Sequence, residues 1–178
     1  MHTIEKSQQT NIVLIGMAGA GKSTVGRELA KQSGLPFVDV DTVIEKNQNI
    51  PLQTLLNDFG VQGFRNLEEQ ILLDLDLQNH IIATGGSAIY SQAAMAHLKK
   101  SGVLVLLDIS LALSQQRVGD FSARGLAKPS NQSFEQLFAE RQPLYAKYAD
   151  VTIDCNDRSV SDICASVKDQ IPDSFYHL

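Results

Sequence analysis

Cysteine is scarce in this chain: Cys155 and Cys164 are its only two, and their spacing matches neither a metal-ligand pattern nor a disulfide framework. The four histidines, His2, His80, His97 and His177, form no recognisable cluster. Neither a disulfide-stapled scaffold nor a Cys/His metal centre is expected. No hydrophobic run approaches the roughly 20 residues of a membrane-spanning helix, and the polar start MHTIEKSQQTN does not read as a signal peptide. The expectation is a cytoplasmic protein with no membrane partner. Positive charge is also short. A formal net charge of -5 argues against a general nucleic-acid or anionic-membrane binder. It leaves room for a small anionic substrate, which needs only a local cluster of arginines. Repeats and low-complexity tracts are missing too. What remains is one domain over 1–178, long enough to bury a sizeable core.

Strands and helices alternate along it. Short apolar runs predict strands at 11–15, 36–40, 81–84, 103–107 and 151–153. Helices are expected at about 21–33, 61–77, 93–99, 111–118, 133–145 and 159–170. Thr42 and Glu45 have capping-box spacing for a further helix. Pro51 can open a short helix that Gly60 ends. Such alternation is most economically a parallel, three-layer α/β domain, with its ligand outside the carboxyl ends of the strands. Periodicity does not dictate the strand order.

The first strand runs into GMAGAGKSTVG, residues 16–26. Gly16-x-x-x-x-Gly21-Lys22-Ser23 is a complete phosphate-loop pattern between a strand and a helix. Its glycines, Gly19 among them, let backbone N–H groups converge on phosphate oxygens, and the following helix begins there. Lys22 brings a mobile positive charge, Ser23 a hydroxyl for Mg²⁺, and Thr24 further support. Asp108, after an apolar strand, has the look of a Walker-B acid. Asp39 and Asp41, two apart near a strand end, are the better pair. One can organise Mg²⁺ while the other meets an acceptor hydroxyl.

Further candidates recur after strands. Arg65 and Glu68 share one side of a helix, as an anion clamp with its support or as an ordinary surface ion pair. Gly85 and Gly86 follow a strand, and Arg141 sits in AERQPLY. Arg117 and Arg124 flank or occupy the irregular stretch 119–132, which suits a lid that excludes water from phosphoryl transfer.

With these motifs in order, the chain resembles the shikimate kinase family. The resemblance rests on GMAGAGKSTVGRELA at 16–30, FVDVDTVIE at 37–45, FRNLEE at 64–69, TGG at 84–86 and ERQPLY at 140–145. It implies a P-loop kinase fold with a five-stranded parallel sheet of order 2-3-1-4-5. It also implies an acceptor-binding region at about 42–79 and a lid at about 119–132. By the same resemblance, ATP and Mg²⁺ are the cofactors, with Asp39 organising the metal beside Ser23. Lys22, Asp41 and Arg124 are catalytic, and Arg117 and Arg124 approach the nucleotide. Asp41, Arg65, Glu68, Gly85, Gly86 and Arg141 form the acceptor pocket for a small anionic partner, shikimate. A monomer is expected.

Two departures stand out. The family's GGG is Gly85-Gly86-Ser87 here, which adds a Cβ and a hydroxyl to the acceptor wall. The lid's RPLL is Arg124-Gly-Leu-Ala127, which keeps the arginine and loses a proline. A kinase for another small polyhydroxy carboxylic acid is therefore the second reading. An ATPase or interaction protein that only binds nucleotide is the third. A GTP-dependent switch lacks its NKxD guanine motif.

Overall fold

Strands that are apolar on both faces need helices on both faces, and right-handed crossovers supply them. The computed structural model describes residues 10–119 and 126–176. Within it, β1 (Asn11–Ile15), β2 (Phe37–Asp39), β3 (Ile81–Ala83), β4 (Gly102–Asp108) and β5 (Val151–Asp154) form one sheet. All four strand pairings are parallel, and the order is β2-β3-β1-β4-β5. The described helices are α1 (Lys22–Ser33), α2 (Val40–Gln48), α3 (Leu52–Leu73), α4 (Gln92–Ser101), α5 (Leu111–Val118), α6 (Phe134–Tyr148) and α7 (Val160–Gln170).

The period-two alternation of each strand divides the core in two. Val13, Ile15, Ile82, Leu104 and Leu106 pack with residues of α2, α3, α4 and α6. Ile12, Leu14, Ile81, Val105 and Leu107 pack on the other face with α1 and α7. The chain leaves β1 across β3 to reach β2, then leaves β3 across β1 to reach β4. The strand order reverses beside β1, which is where a crevice opens at the carboxyl ends.

Two expectations are corrected. Thr42 does not cap a helix: Asp39 does, its Oδ1 accepting from the Asp41 amide at 3.1 Å, so α2 starts at Val40. The last residue of β2 is itself a good cap, so no loop intervenes. Glu45 instead accepts from the Leu52 amide at 3.0 Å, at the start of α3. The helix expected to run to 77 ends at Leu73. The expected stop at Gly60 holds: φ 66° and ψ 178° leave the helical region there and divide the α3 span into two helical stretches. Downstream, Ser133 and Gln136 make both bonds of a capping box at the start of α6.

Candidate active site

The phosphate loop is set between β1 and α1 by its backbone. Gly16 has φ +144°, and a Cβ there would lie 2.6 Å from the Leu107 carbonyl oxygen, so no larger residue fits. The loop is braced from α5. Ser114 Oγ donates to the Ala18 carbonyl at 2.7 Å, and Arg117 Nη1 to that of Gly19 at 3.2 Å. Lys22 Nζ donates back to the carbonyls of Gly16 (2.7 Å) and Met17 (3.0 Å). Burial pushes its pKa down to about 8, against the pull of Asp41. Phosphate oxygens in the loop would favour the charged form. Ser23 Oγ donates to Asp39 Oδ2 at 2.5 Å, so hydroxyl and carboxylate sit side by side at the start of α1.

A cavity of about 480 Å³ opens over this loop. Gly19, Gly21, Lys22, Ser23 and Thr24 line its floor. Arg117, Arg158, Val160 and Ile163 line it as well, with Asp41, Gly85, Gly86, Ser87 and Arg141 also on its wall. Leu126 and Ala127 border it. Gly16 and Asp39 are not on its wall. Arg65 and Glu68 line an adjoining cavity of about 220 Å³, which shares Ser87 with the first. Asp108 lines neither, and its carboxylate accepts from Gln142 Nε2 at 3.4 Å. Arg124 lies outside the described residues.

The acceptor side is crowded with polar groups. Asp41 is carried by the first turn of α2, so helix geometry rather than strand alternation separates it from Asp39. Burial pushes its carboxyl up to about 6, and the charge of Asp39 adds to the rise. Glu68 is 1 % exposed, and burial pushes it up to about 7. It makes no ion pair with Arg65 within 4.0 Å. Its Oε2 accepts from Ser87 Oγ at 2.5 Å, which partly offsets the rise, and its Oε1 is buried without a partner among the described residues. The serine that replaces the family's third glycine is therefore turned into the Glu68 carboxylate.

Gly85 and Gly86 permit close approach. A Cβ on Gly85 would meet Glu68 Oε1 at 2.3 Å and Asp41 Oδ1 at 2.9 Å. One on Gly86 would meet Arg141 Nη1 at 2.9 Å. Arg141, on α6, is 1 % exposed. Among the described residues neither it nor Arg65 has a carboxylate within 4.0 Å. Both donate instead to the Ala127 carbonyl, at 3.0 Å from Arg141 Nη2 and 3.4 Å from Arg65 Nη2. Tyr145 Oη holds the Gly86 carbonyl at 2.7 Å, and burial pushes that phenol up to about 12. Tyr145 stands one helical turn from Arg141, a spacing that was present in ERQPLY. Tyr90 and the Arg158 end of the cavity carried no signal in the sequence, and Ala127 stood out there only as the last residue of the altered lid motif.

A parallel sheet of order 2-3-1-4-5, with a phosphate loop at its switch point and Asp41 and Arg141 on the wall of the cavity over that loop, defines a P-loop phosphotransferase. The chain belongs to the shikimate kinase family, a family of ATP-dependent kinases whose model matches residues 18–172. A shikimate kinase from Francisella tularensis subsp. novicida is 38% identical over 157 residues, 86% of this chain and 89% of that one. A structure of shikimate kinase from Acinetobacter baumannii in complex with shikimate superposes with a TM-score of 0.84 at 32% identity. That match covers 93% of this chain and 97% of the other. The shikimate kinase of Aquifex aeolicus follows, with a TM-score of 0.76 at 30% identity over 89% and 94% of the two chains.

Proposed function

We propose that the protein transfers the γ-phosphoryl group of ATP to the 3-hydroxyl of shikimate. The observation that carries this reading is Arg141. A cation this deeply buried, with no carboxylate within 4.0 Å among the described residues, stands in the wall of a cavity floored by a phosphate loop. Burying such a charge is costly unless an anion meets it. The carboxylate of a small acid supplies that anion, and guanidinium groups match it in plane.

In this reading Lys22 exchanges the loop carbonyls for phosphate oxygens, and Arg117 and Arg124 approach the nucleotide. Arg141 and Arg65 hold the acid's carboxylate, while Glu68 supports the pocket. Asp41 accepts the hydrogen of the 3-hydroxyl as that oxygen attacks the γ-phosphorus roughly in line. Its raised pKa makes it a better acceptor than an ordinary aspartate while leaving it ionised at neutral pH. Mg²⁺ fits beside Ser23 and Asp39, since this cation takes hard oxygens and needs only one or two carboxylates besides phosphate. It would supply charge neutralisation to the phosphates. Of the expected lid, 119–132, residues 120–125 lie outside the described residues, and Leu126 and Ala127 border the cavity.

Ser87 favours a second reading, a kinase for another small polyhydroxy acid, because its side chain adds volume beside Glu68. Coupled ADP release with MgATP, with and without shikimate, decides between them when the product is identified. Shikimate-dependent release with formation of shikimate 3-phosphate is expected. No stimulation from folded, ATP-binding protein overturns the substrate, and quinate and gluconate are then the acceptors to try. Phosphate release without an acceptor would mark an ATPase.

A further inference from the structure

Tyr90 belongs to no motif of the sequence, yet it touches both arginines of the acceptor side. It ends a short 3-10 turn, Ala88–Tyr90, directly after Ser87, and its amide donates to the Ser87 carbonyl at 3.0 Å. The Arg65 guanidinium carbon lies 3.5 Å from the centroid of its ring, and that of Arg141 lies at 5.4 Å. The phenol oxygen accepts from Arg141 Nε at 3.4 Å and donates to Glu140 Oε1. The other oxygen of Glu140 accepts from Gln132 Nε2 at 2.7 Å. One side chain thus spans α3 and α6 by joining two cations whose other shared partner is the Ala127 carbonyl.

The chemistry of that contact matters. An aromatic face attracts a guanidinium from above its plane and leaves the N–H groups at its edge free. A carboxylate in the same place would take those N–H groups and compete with an acid substrate for them. Arg65 has a buried Nε without a partner among the described residues, and the Nη2 groups of both arginines converge on a single acceptor, the Ala127 carbonyl. A neutral carbonyl is a weaker acceptor for two cations than a carboxylate.

We propose that Tyr90 is a positioning residue for the acceptor. Its ring holds Arg65 and its hydroxyl steadies Arg141, so that both present their edge donors to one carboxylate. This rests on the proposed acceptor reading. A merely structural Tyr90 would cover the gap between α3 and α6, and its loss would act on stability or on all kinetic parameters alike.

The test is steady-state kinetics of Tyr90→Leu and Tyr90→Phe, with shikimate and with its neutral carboxamide. Removing one cation–π contact and its linked hydrogen bond is expected to raise the shikimate KM by roughly tenfold in Tyr90→Leu. The KM for MgATP should stay within about twofold of wild type on the same reasoning, because the side chain's contacts among the described residues are to Arg65, Arg141 and Glu140, none of them on the nucleotide side. Tyr90→Phe keeps the aromatic face and should recover most of the shikimate KM. With the carboxamide, which lacks the charge that the arginines recognise, Tyr90→Leu and wild type should differ little. A shikimate KM in Tyr90→Leu within about twofold of wild type, or an equal rise for the carboxamide, overturns the assignment. If Tyr90→Leu does not fold, Tyr90→Met fills the volume without an aromatic face and is judged by the same criteria. Wild-type turnover of shikimate is scored first and separately. Its absence overturns the acceptor reading and this inference with it, whereas its presence with an unmoved KM overturns this inference alone.

Discussion

Asp41 and Glu68 are asked to be charged where charge is disfavoured. Asp41→Asn keeps the shape of the side chain but removes the acceptor for the hydroxyl hydrogen, so kcat should fall by roughly a hundredfold or more. In the wild type, kcat/KM for the acid should decline as pH drops through about 6, where burial and Asp39 have brought the Asp41 carboxyl. Stopped-time product assays across pH check both. Glu68 tests the same idea through stability. Its folded pKa, about 7, lies above its ordinary value of 4.5, so the native state binds the extra proton between them. Stability contributed by this group therefore falls as pH rises from 4.5 through about 7. The charge costs the fold about 3 kcal/mol at pH 8, following the conversion of one unit to 1.36 kcal/mol. Glu68→Gln can still accept from Ser87, and it should melt at a higher temperature than wild type at pH 8. The gain should shrink towards pH 4.5, and a gain independent of pH would refute the account. Stabilising a carboxylate site at the expense of activity is the usual trade.

The elements matter because three of them must end in the same place. β1 delivers the phosphate loop, the β2–α2 junction delivers Asp41, and the turn after β3 brings Gly85, Gly86 and Ser87 against α3 and α6. That last turn is the tightest of the three. Gly86→Ala places a methyl group 2.9 Å from Arg141 Nη1, and the guanidinium must shift from the acceptor wall. The expected result is a rise of roughly tenfold or more in the acceptor KM with the MgATP KM little changed, because binding to one site alone is lost. An equal rise in both would mean that the turn supports the whole crevice rather than the acid. Much at this scale was readable beforehand. Strand positions followed from short apolar runs, and the α6 cap from Ser133 and Gln136. The start of α2 was misplaced by three residues' worth of capping logic, because Asp39 serves both as the end of β2 and as the cap. The strand order was not readable from periodicity, because each strand's pattern reports which faces are buried and says nothing about neighbours. It came from the family resemblance, and the observed sheet has that order.

At the scale of the whole molecule, we propose that the protein works as a monomer. Sedimentation of active protein at assay concentration checks that expectation. Ligands that bind only the folded state stabilise it by mass action, by about 2.7 kcal/mol at a hundred times Kd. In a domain of this size each kcal/mol moves Tm by about 2–4 °C. MgATP at saturation should therefore raise Tm by roughly 5–10 °C. Shikimate should add a further shift in wild type but little in Arg141→Ala, provided that variant still responds to MgATP. Among the described residues no helix is long and apolar enough to cross a membrane.

By itself the sequence determined what contiguous residues can encode. Gly16 to Ser23 specify a phosphate cradle, because a strand, a glycine turn and a helix start are local backbone states. The order of the later motifs determined the family. Only the tertiary structure decided which groups meet across elements. Ser87 is turned into Glu68, the edges of Arg65 and Arg141 converge on the Ala127 carbonyl, and Tyr90 lies between those arginines. None of these contacts follows from a helical or strand period. They depend on how far α3, α6 and the turn after β3 stand from one another, and packing of the core on one face of the sheet sets those distances.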